Sequence, residues 1–114
     1  MFAVISPAKK LDFSEPVRGT VTQPKLIDET EVLLDETRRL SPADLTRLMK
    51  ISDQLAELNY GRFQSFELPF TKDNAKQAIF AFNGDTYVGF DAKTLDDDGL
   101  DYAQKHIGIL SGLY

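Results

Sequence analysis

The sequence predicts an α+β protein that combines short strands with several helices, two of which form a helix-hairpin-helix-like pair. Three observations lead to this fold class. The run FAVIS at residues 2–6 is rich in residues that suit a pleated sheet. Residues 26–40 place apolar side chains near helical spacing, and Ser41 and Ser52 each stand where a serine can begin a helix. A chain of 114 residues suits one domain with its own core, and no internal boundary is predicted.

The first third of the chain indicates a strand, a loop and a helix. The strand candidate FAVIS ends at Pro7, and residues 12–23 contain Pro16 and Gly19 without periodicity, which is typical of a loop. Pro24 then precedes KLIDETEVLLDETRRL, in which apolar residues recur at helical spacing. Two arginines close this segment, where cations suit the helix dipole.

The segment from Ser41 to Arg62 predicts two helices separated by a very short break. In Ser41-Pro42-Ala43-Asp44, the serine can cap, proline fits the first helical position, and aspartate stands at the capping-box distance. The first helix is expected to end near Lys50, and Ser52 is expected to cap the second. The expected buried face of the second helix consists of Leu55, Leu58 and Phe63.

The next segments predict a helix and then a strand pair. Thr71 and Asp73 mark the start of a helix DNAKQAI. AIFAFNGDTYVGF, at residues 78–90, predicts a hairpin that turns at Asn83-Gly84. Its flanks do not alternate cleanly, so a strand-loop-strand of another geometry also fits.

The last quarter predicts a polar helix and a final strand. Residues 94–104 read as a helix with a heavily acidic first turn. IGILSGLY is apolar to the last residue, whereas domains seldom end on a strand of buried character. We therefore expect the chain to be part of a longer protein. An exposed apolar end at Leu110, Leu113 and Tyr114 would favour association between copies.

Composition excludes several classes of protein. Hydrophobic residues make up 42% and charged residues 27%, as in ordinary soluble domains. No apolar run is long enough to cross a bilayer or to form a signal-peptide core, so a cytoplasmic location is expected. The chain has no cysteine, which excludes thiol catalysis, disulfides and thiolate metal ligands.

Charge is unevenly distributed along the chain. The net charge is −5, which taken alone argues against a nucleic-acid partner. The acidic excess, however, lies in residues 26–37 and 91–101, whereas residues 38–62 carry five basic side chains against three acidic ones. The predicted helix pair is therefore locally positive, although solvated charged faces are the usual reason for such blocks.

The break at Lys50-Ile51-Ser52 is the clearest functional candidate in the sequence. A tight joint leaves unpaired backbone N–H groups at the start of the second helix, where they can hold a phosphate oxygen without reading a base. Lys50 and Arg47 would add positive charge. The Gly-apolar-Gly of a typical helix-hairpin-helix is absent, and an ordinary αα-hairpin with Ile51 in its core is the commoner structure.

Other candidate sites are weaker. Ser6 and Lys9 follow the first strand and could bind an anion, but the commoner role of such a segment is a surface turn. DDDGLD lacks the ligand spacing of a calcium loop, and a solvated helix start fits it better. His106 is the only histidine, so no histidine pair can bind a metal, and we predict neither a metal site nor a cofactor.

Four segments together resemble the YaaA family of bacterial peroxide-stress proteins. They are ISPAKKLDF at 5–13, LMKISDQLAELNYGRF at 48–63, AIFAFNGDTYVGF at 78–90 and ILSGLY at 109–114. The resemblance implies that this chain is the N-terminal part of a roughly twice-longer, cytoplasmic α+β protein. It also implies a role in surviving hydrogen peroxide by limiting iron-driven damage, and double-stranded DNA binding through a helix-hairpin-helix.

Carried onto this chain, the implied DNA contacts are Arg47, Lys50, Ser52 and Arg62. Binding by this chain alone is expected to be weak or absent, because the implied cleft needs the remaining residues. The resemblance assigns no enzymatic activity. The alternative is an enzyme or small-molecule binder that acts on a nucleotide or modified base, and its pocket would gather Ser6, Lys9, Asp85 and Tyr87.

Overall fold

The computed structural model describes all residues 1–114, and its elements confirm the α+β class. Six α-helices accompany one two-stranded parallel sheet. In chain order the elements are β1 Ala3–Ile5, α1 Ile27–Arg38, α2 Pro42–Met49, α3 Asp53–Ser65, α4 Ala78–Ala81, α5 Asp85–Phe90, a 3₁₀ turn Ala92–Thr94, α6 Asp97–His106 and β2 Ile107–Ile109. None of the helices is long and apolar enough to span a membrane.

The residues group into two compact units. Unit 1 consists of Met1–Gln23 and Phe70–Gly112, and it contains both strands. Unit 2 consists of Pro24–Pro69 with Leu113–Tyr114, and it contains the first three helices.

Unit 1 is organised by the pairing of the first and last strands. β1 and β2 run parallel, with Val4 opposite Gly108, and the ladder continues where the Leu110 N–H donates to the Ile5 carbonyl at 3.0 Å. The strands predicted in FAVIS and IGILSGLY are therefore confirmed over three residues each. Pairing joins segments about a hundred residues apart in sequence.

The hairpin predicted at Asn83-Gly84 is wrong, since its flanks form α4 and α5. A two-residue type I′ hairpin turn needs positive φ at both central positions, whereas Gly84 is extended at φ −130° and precedes α5 as its N-cap. The backbone of this segment pairs instead with the loop after β1. Asn83 N–H donates to Lys10 O at 3.0 Å, and Leu11 forms an antiparallel bridge with Phe82.

The helix predicted from Thr71 is also wrong, because only a turn forms at residues 72–74. The side chain of Asn74 accepts from the Thr71 N–H at 2.7 Å, and the Thr71 hydroxyl accepts from the Asp73 N–H at 3.3 Å. Such side-chain bonds to nearby backbone satisfy the chain locally and compete with helix formation. The helix begins later, at Ala78.

The loop predicted at residues 12–23 is confirmed and is held by specific contacts. The Arg18 guanidinium donates to the carbonyls of Ala92 and Lys93 at 3.0 and 3.1 Å and lies 5.1 Å from the centre of the Phe80 ring. At the start of the loop, hydrogen bonds from the Ser14 hydroxyl and N–H lower the pKa of the Asp12 carboxyl.

DDDGLD begins α6, as a solvated helix start would. The Asp96 side chain caps the helix by accepting from the Gly99 N–H at 2.8 Å, and Asp97 and Asp98 occupy the first turn. The predicted helix began too early, because Ala92–Thr94 form a separate 3₁₀ turn. At the other end, His106 Nδ1–H donates to the Tyr102 carbonyl at 2.8 Å and the two rings stack.

In unit 2, α1 buries Thr30 and Leu34. The Thr30 hydroxyl lies 3.0 Å from the Leu26 carbonyl and 2.5 Å from the Leu113 carbonyl, so a buried polar group has partners. Leu113 is half-buried, whereas Leu110 and Tyr114 are exposed.

The buried face of α3 differs from the prediction. Leu55 and Leu58 are 47% and 48% exposed, Phe63 is half-buried, and the fully buried residue is Ala56. α2 supplies Leu45 to the same interior. α3 packs against both α1 and α2, so its interior side is the one that carries Ala56, and its neighbour Leu55 faces outward.

The capping box predicted at Ser41 is confirmed in both directions. The Ser41 hydroxyl accepts from the Asp44 N–H at 3.2 Å, and Asp44 Oδ2 accepts from the Ser41 N–H at 3.0 Å. Hydrogen bonds from the Ser41 backbone and hydroxyl lower the pKa of Asp44, with a smaller contribution from Arg47.

Replacing Ser41 with alanine is expected to destabilise the protein by about 1 kcal/mol, measured by denaturant unfolding at neutral pH. Because the folded pKa of Asp44 lies below the unfolded value of 3.8, its stabilisation is present above pH 3.8 and is lost as pH falls through the folded pKa. Ser41→Ala should lose less stability on acidification than the wild type.

Ser52→Ala is the matched control for this prediction. Ser52 caps α3 through the Leu55 N–H at 3.3 Å but receives no reciprocal carboxylate bond. It should show a similar loss at neutral pH and an unchanged acid profile. The backbone N–H at position 41 remains in Ser41→Ala, so equal acid profiles for this variant and the wild type would contradict only the contribution assigned to the Ser41 hydroxyl.

Candidate functional site

The candidate site is the joint between α2 and α3. α2 ends at Met49, Lys50 adopts the left-handed conformation at φ 51° and ψ 49°, and Ser52 is extended before α3 begins at Asp53. The break predicted between the two helices is therefore present. Lys50, Ser52 and Asp53 are exposed, and Ile51 is half-buried.

The conformation of Lys50 is unusual for its residue type. Positive φ suits glycine, and holding a residue with a Cβ there costs roughly 1 kcal/mol. A helix ending in this conformation commonly has glycine at the position. Here the chain instead places an exposed ammonium group at the turn.

The start of α3 offers backbone donors next to this cation. The Ser52 side chain accepts from the Leu55 N–H and its carbonyl accepts from the Ala56 N–H at 2.9 Å. The N–H groups of Asp53 and Gln54 precede the first intrahelical bond and have no carbonyl one turn back. Together with the positive end of the helix dipole, they form a site suited to one oxygen of an anion.

Arg47 and Lys50 differ in their availability. Arg47 forms a surface ion pair with Asp44 at 3.4 Å, an interaction that contributes little and is easily exchanged. Lys50 makes no salt bridge in the structure and is exposed. Of the two cations, Lys50 is therefore the more available. The turn between α2 and α3 keeps both close to Ser52 in the sequence.

Arg62 lies apart from these three residues. It follows Asp53 by nine residues on α3, which at 1.5 Å per residue places it roughly 14 Å along the helix. It shares a face with Leu55 and Leu58, and it is half-buried. A contact from Arg62 would reach a different part of an extended ligand.

The acidic side of the joint is turned towards α2. Thr46 donates to Asp53 Oδ1 at 3.3 Å, and Asp53 and Glu57 line a cavity of about 320 Å³ with α2 residues. The sequence pattern did not predict this position of the Asp53 carboxylate. It also missed the Gln54 amide, although Ser52 as N-cap places Gln54 in the first turn.

Exposed apolar side chains flank the joint and were not predicted. Leu48 and Met49 at the end of α2, and Leu55 and Leu58 on α3, are all exposed. The joint is therefore a cationic turn with an apolar border.

The residues of the alternative pocket belong to unit 1, where the structure brings the segment after β1 against the segment that begins α5. The Tyr87 hydroxyl donates to the Ser6 carbonyl at 2.6 Å, and a Cβ at Gly84 would lie 3.1 Å from that of Ala8. The segment SPAK, at residues 6–9, thus packs directly on the segment GDTY, at residues 84–87. Ser6, Lys9 and Asp85 are exposed, whereas Tyr87 is buried.

Tyr87 has a structural contact for its hydroxyl group. Burial raises the pKa of this phenol above its usual 10.0, so it stays protonated and donates at neutral pH. Its ring centre lies 5.2 Å from that of Phe82.

No group of three or more His, Asp or Glu side chains is arranged as a metal site.

Comparison with known proteins places these features in context. A sequence model described as peroxide stress protein YaaA matches residues 1–114. The chain is 59% identical to a UPF0246 protein of Alteromonas mediterranea, 50% to one of Colwellia psychrerythraea and 54% to one of Pseudoalteromonas translucida. Each match covers all of this chain but only 44%, 45% and 44% of the respective relative. The chain therefore spans a little under half the length of these relatives.

Proposed function

We propose that this chain, which belongs to the YaaA family of peroxide stress proteins, serves the stress response by binding double-stranded DNA. Contact is made through the α2–α3 joint and is independent of base sequence. Bound protein would shield DNA in the cytoplasm and so help to limit iron-driven oxidative damage. The resemblance found in the sequence is confirmed at the level of the family.

The observation that carries this proposal is the left-handed Lys50 beside the open start of α3. A strained backbone conformation supports a functional hypothesis when a local feature accompanies it. Here the accompanying feature is a cation next to backbone N–H donors, which together can hold a phosphate oxygen. Such contacts position a protein on a duplex without reading the bases.

The charges around the joint are compatible with this role. Thr46 holds Asp53 on the side of the joint that faces α2, while Lys50 stays exposed. The net charge of −5 makes non-specific attraction to DNA unfavourable at long range, so binding must depend on local contacts. We therefore expect weak binding by this chain alone and stronger binding by a protein of family length.

The test is Lys50→Glu, measured by fluorescence anisotropy with a labelled duplex at about 50 mM and about 200 mM salt. Binding should weaken by about tenfold at the lower salt. The magnitude of the slope of log affinity against log salt should fall by about one, which corresponds to the loss of one phosphate contact. Both this chain and a family-length protein that carries it are measured.

Lys72→Glu is the matched control, because Lys72 is also an exposed lysine, belongs to neither candidate site and undergoes the same change in charge. It lies in unit 1 and should leave duplex affinity close to that of the wild type. Equal weakening by both variants would mean that net charge, rather than the joint, governs binding. Unchanged affinity of Lys50→Glu in the family-length protein would end the proposal.

A second candidate is a nucleotide or modified-base site at Ser6, Lys9, Asp85 and Tyr87, acting as an enzyme or as a binder. The contact between SPAK and GDTY favours it, because it sets Lys9 near the segment that carries Asp85. Lys9→Glu and Lys50→Glu separate the candidates. A nucleoside monophosphate titration that responds to Lys9→Glu and ignores Lys50→Glu would support this second site.

A further inference from the structure

The parallel sheet of unit 1 has one exposed apolar face. Val4 stands opposite Gly108, and because side chains alternate along a strand, Phe2 and Leu110 lie on the same side as that pair. A Cβ at Gly108 would lie 2.9 Å from the Phe2 ring, so this ring already crosses the second strand. Phe2, Val4 and Leu110 are nevertheless 61%, 54% and 58% exposed.

The other face of the sheet is different. Ile5, Ile107 and Ile109 lie on it and are all half-buried. Parallel strands are almost always covered on both faces, and a sheet of only two strands gains little stability by itself. A contiguous exposed patch of large apolar side chains marks a surface that another element covers.

The lengths of the relatives indicate what that element is. This chain spans 44% of the Alteromonas mediterranea relative and 45% of the Colwellia psychrerythraea relative. We propose that in a protein of family length the residues that this chain does not span pack against the face formed by Phe2, Val4 and Leu110.

A second copy of this chain fits the face less well. Each copy carries a net charge of −5, so two copies repel one another. Residues joined to the same chain also meet the face at high effective concentration, which a separate copy does not. The intramolecular occupant is therefore favoured.

The test uses single cysteines, which the absence of cysteine from this chain permits. Val4→Cys places a thiol on the face, and Val88→Cys is the control on the exposed side of α5, in the same unit. Each variant is prepared in this chain and in a family-length chimera, completed with the remaining residues of the Alteromonas mediterranea relative and with any cysteines there changed to serine. The rate of reaction with a disulfide reagent reports access to each thiol.

We expect the Val4→Cys thiol to react freely in this chain and to be slowed on the order of tenfold or more in the chimera, since burial blocks thiol reactivity. The Val88→Cys thiol should react at the same rate in both proteins. Equal rates for Val4→Cys in the two proteins would overturn the proposal. Protection in this chain alone that grows with protein concentration would also overturn it and identify a second copy as the occupant.

Discussion

Replacing Leu45 with alanine should lower the free energy of unfolding by about 3 kcal/mol, measured by chemical denaturation. Leu45 is the buried leucine of α2, and it is 2% exposed. Truncation removes apolar area from the interior and leaves a cavity in a helix pair held at a short joint. The same variant should weaken duplex binding, because the joint depends on the packing of α2.

Leu48→Ala is the control for Leu45→Ala, with the same chemistry on the same helix. Leu48 is exposed, so its truncation should change stability by no more than about 0.5 kcal/mol. Comparable losses in the two variants would show that α2 packs through a face other than the one that buries Leu45.

Replacing Tyr87 with alanine should cost about 4 kcal/mol, a comparably large effect in unit 1. The side chain is buried, its ring contacts Phe82, and its hydroxyl donates to the Ser6 carbonyl. All three interactions are lost together. Thermal unfolding followed by circular dichroism would measure the loss.

Tyr87→Phe separates the ring from the hydroxyl. It keeps the buried ring and removes one hydrogen bond, so a loss of about 1 kcal/mol is expected. Because burial raises the folded pKa above 10.0, the tyrosine contribution is full below pH 10 and is lost as pH rises through the folded pKa. Tyr87→Phe should lack this alkaline loss, and Val88→Ala, on the exposed side of α5, should retain it.

A Tyr87→Phe variant as stable as the wild type at neutral pH would contradict the assigned hydrogen bond, and an unchanged alkaline profile would contradict the pKa raised by burial. The result also bears on the second functional candidate. A hydroxyl engaged with Ser6 is a positioning contact between SPAK and GDTY, and its loss should loosen both segments.

The helix pair was well predicted because its signals are local. Ser41, Asp44 and Ser52 each form hydrogen bonds to groups three residues away. Such contacts depend on residue type and spacing alone, which the sequence states directly. The candidate joint followed from them, and so did the grouping of Arg47, Lys50 and Ser52.

The errors arose where distant segments compete for the same residues. Asn83-Gly84 carries a hairpin signal, yet Asn83 pairs with Lys10, more than seventy residues earlier. Leu55 was expected in the interior, but the packing of α3 against α1 and α2 buries Ala56 instead. Neither partner is visible from the local pattern, because both choices depend on which surfaces meet after folding.

The sequence by itself determined both ends of α2, the start of α3 and the break at Lys50, since short-range hydrogen bonds and turn chemistry decide these features, and residues that favour a pleated sheet indicated the first strand. Only the tertiary structure decided which helix faces are buried, how β1 meets β2 and where the Asp53 carboxylate lies. It also decided that Arg62 stands away from the joint and that one face of the sheet is exposed. These outcomes depend on contacts between residues far apart in the chain, whose formation is set by packing of whole elements rather than by any local pattern.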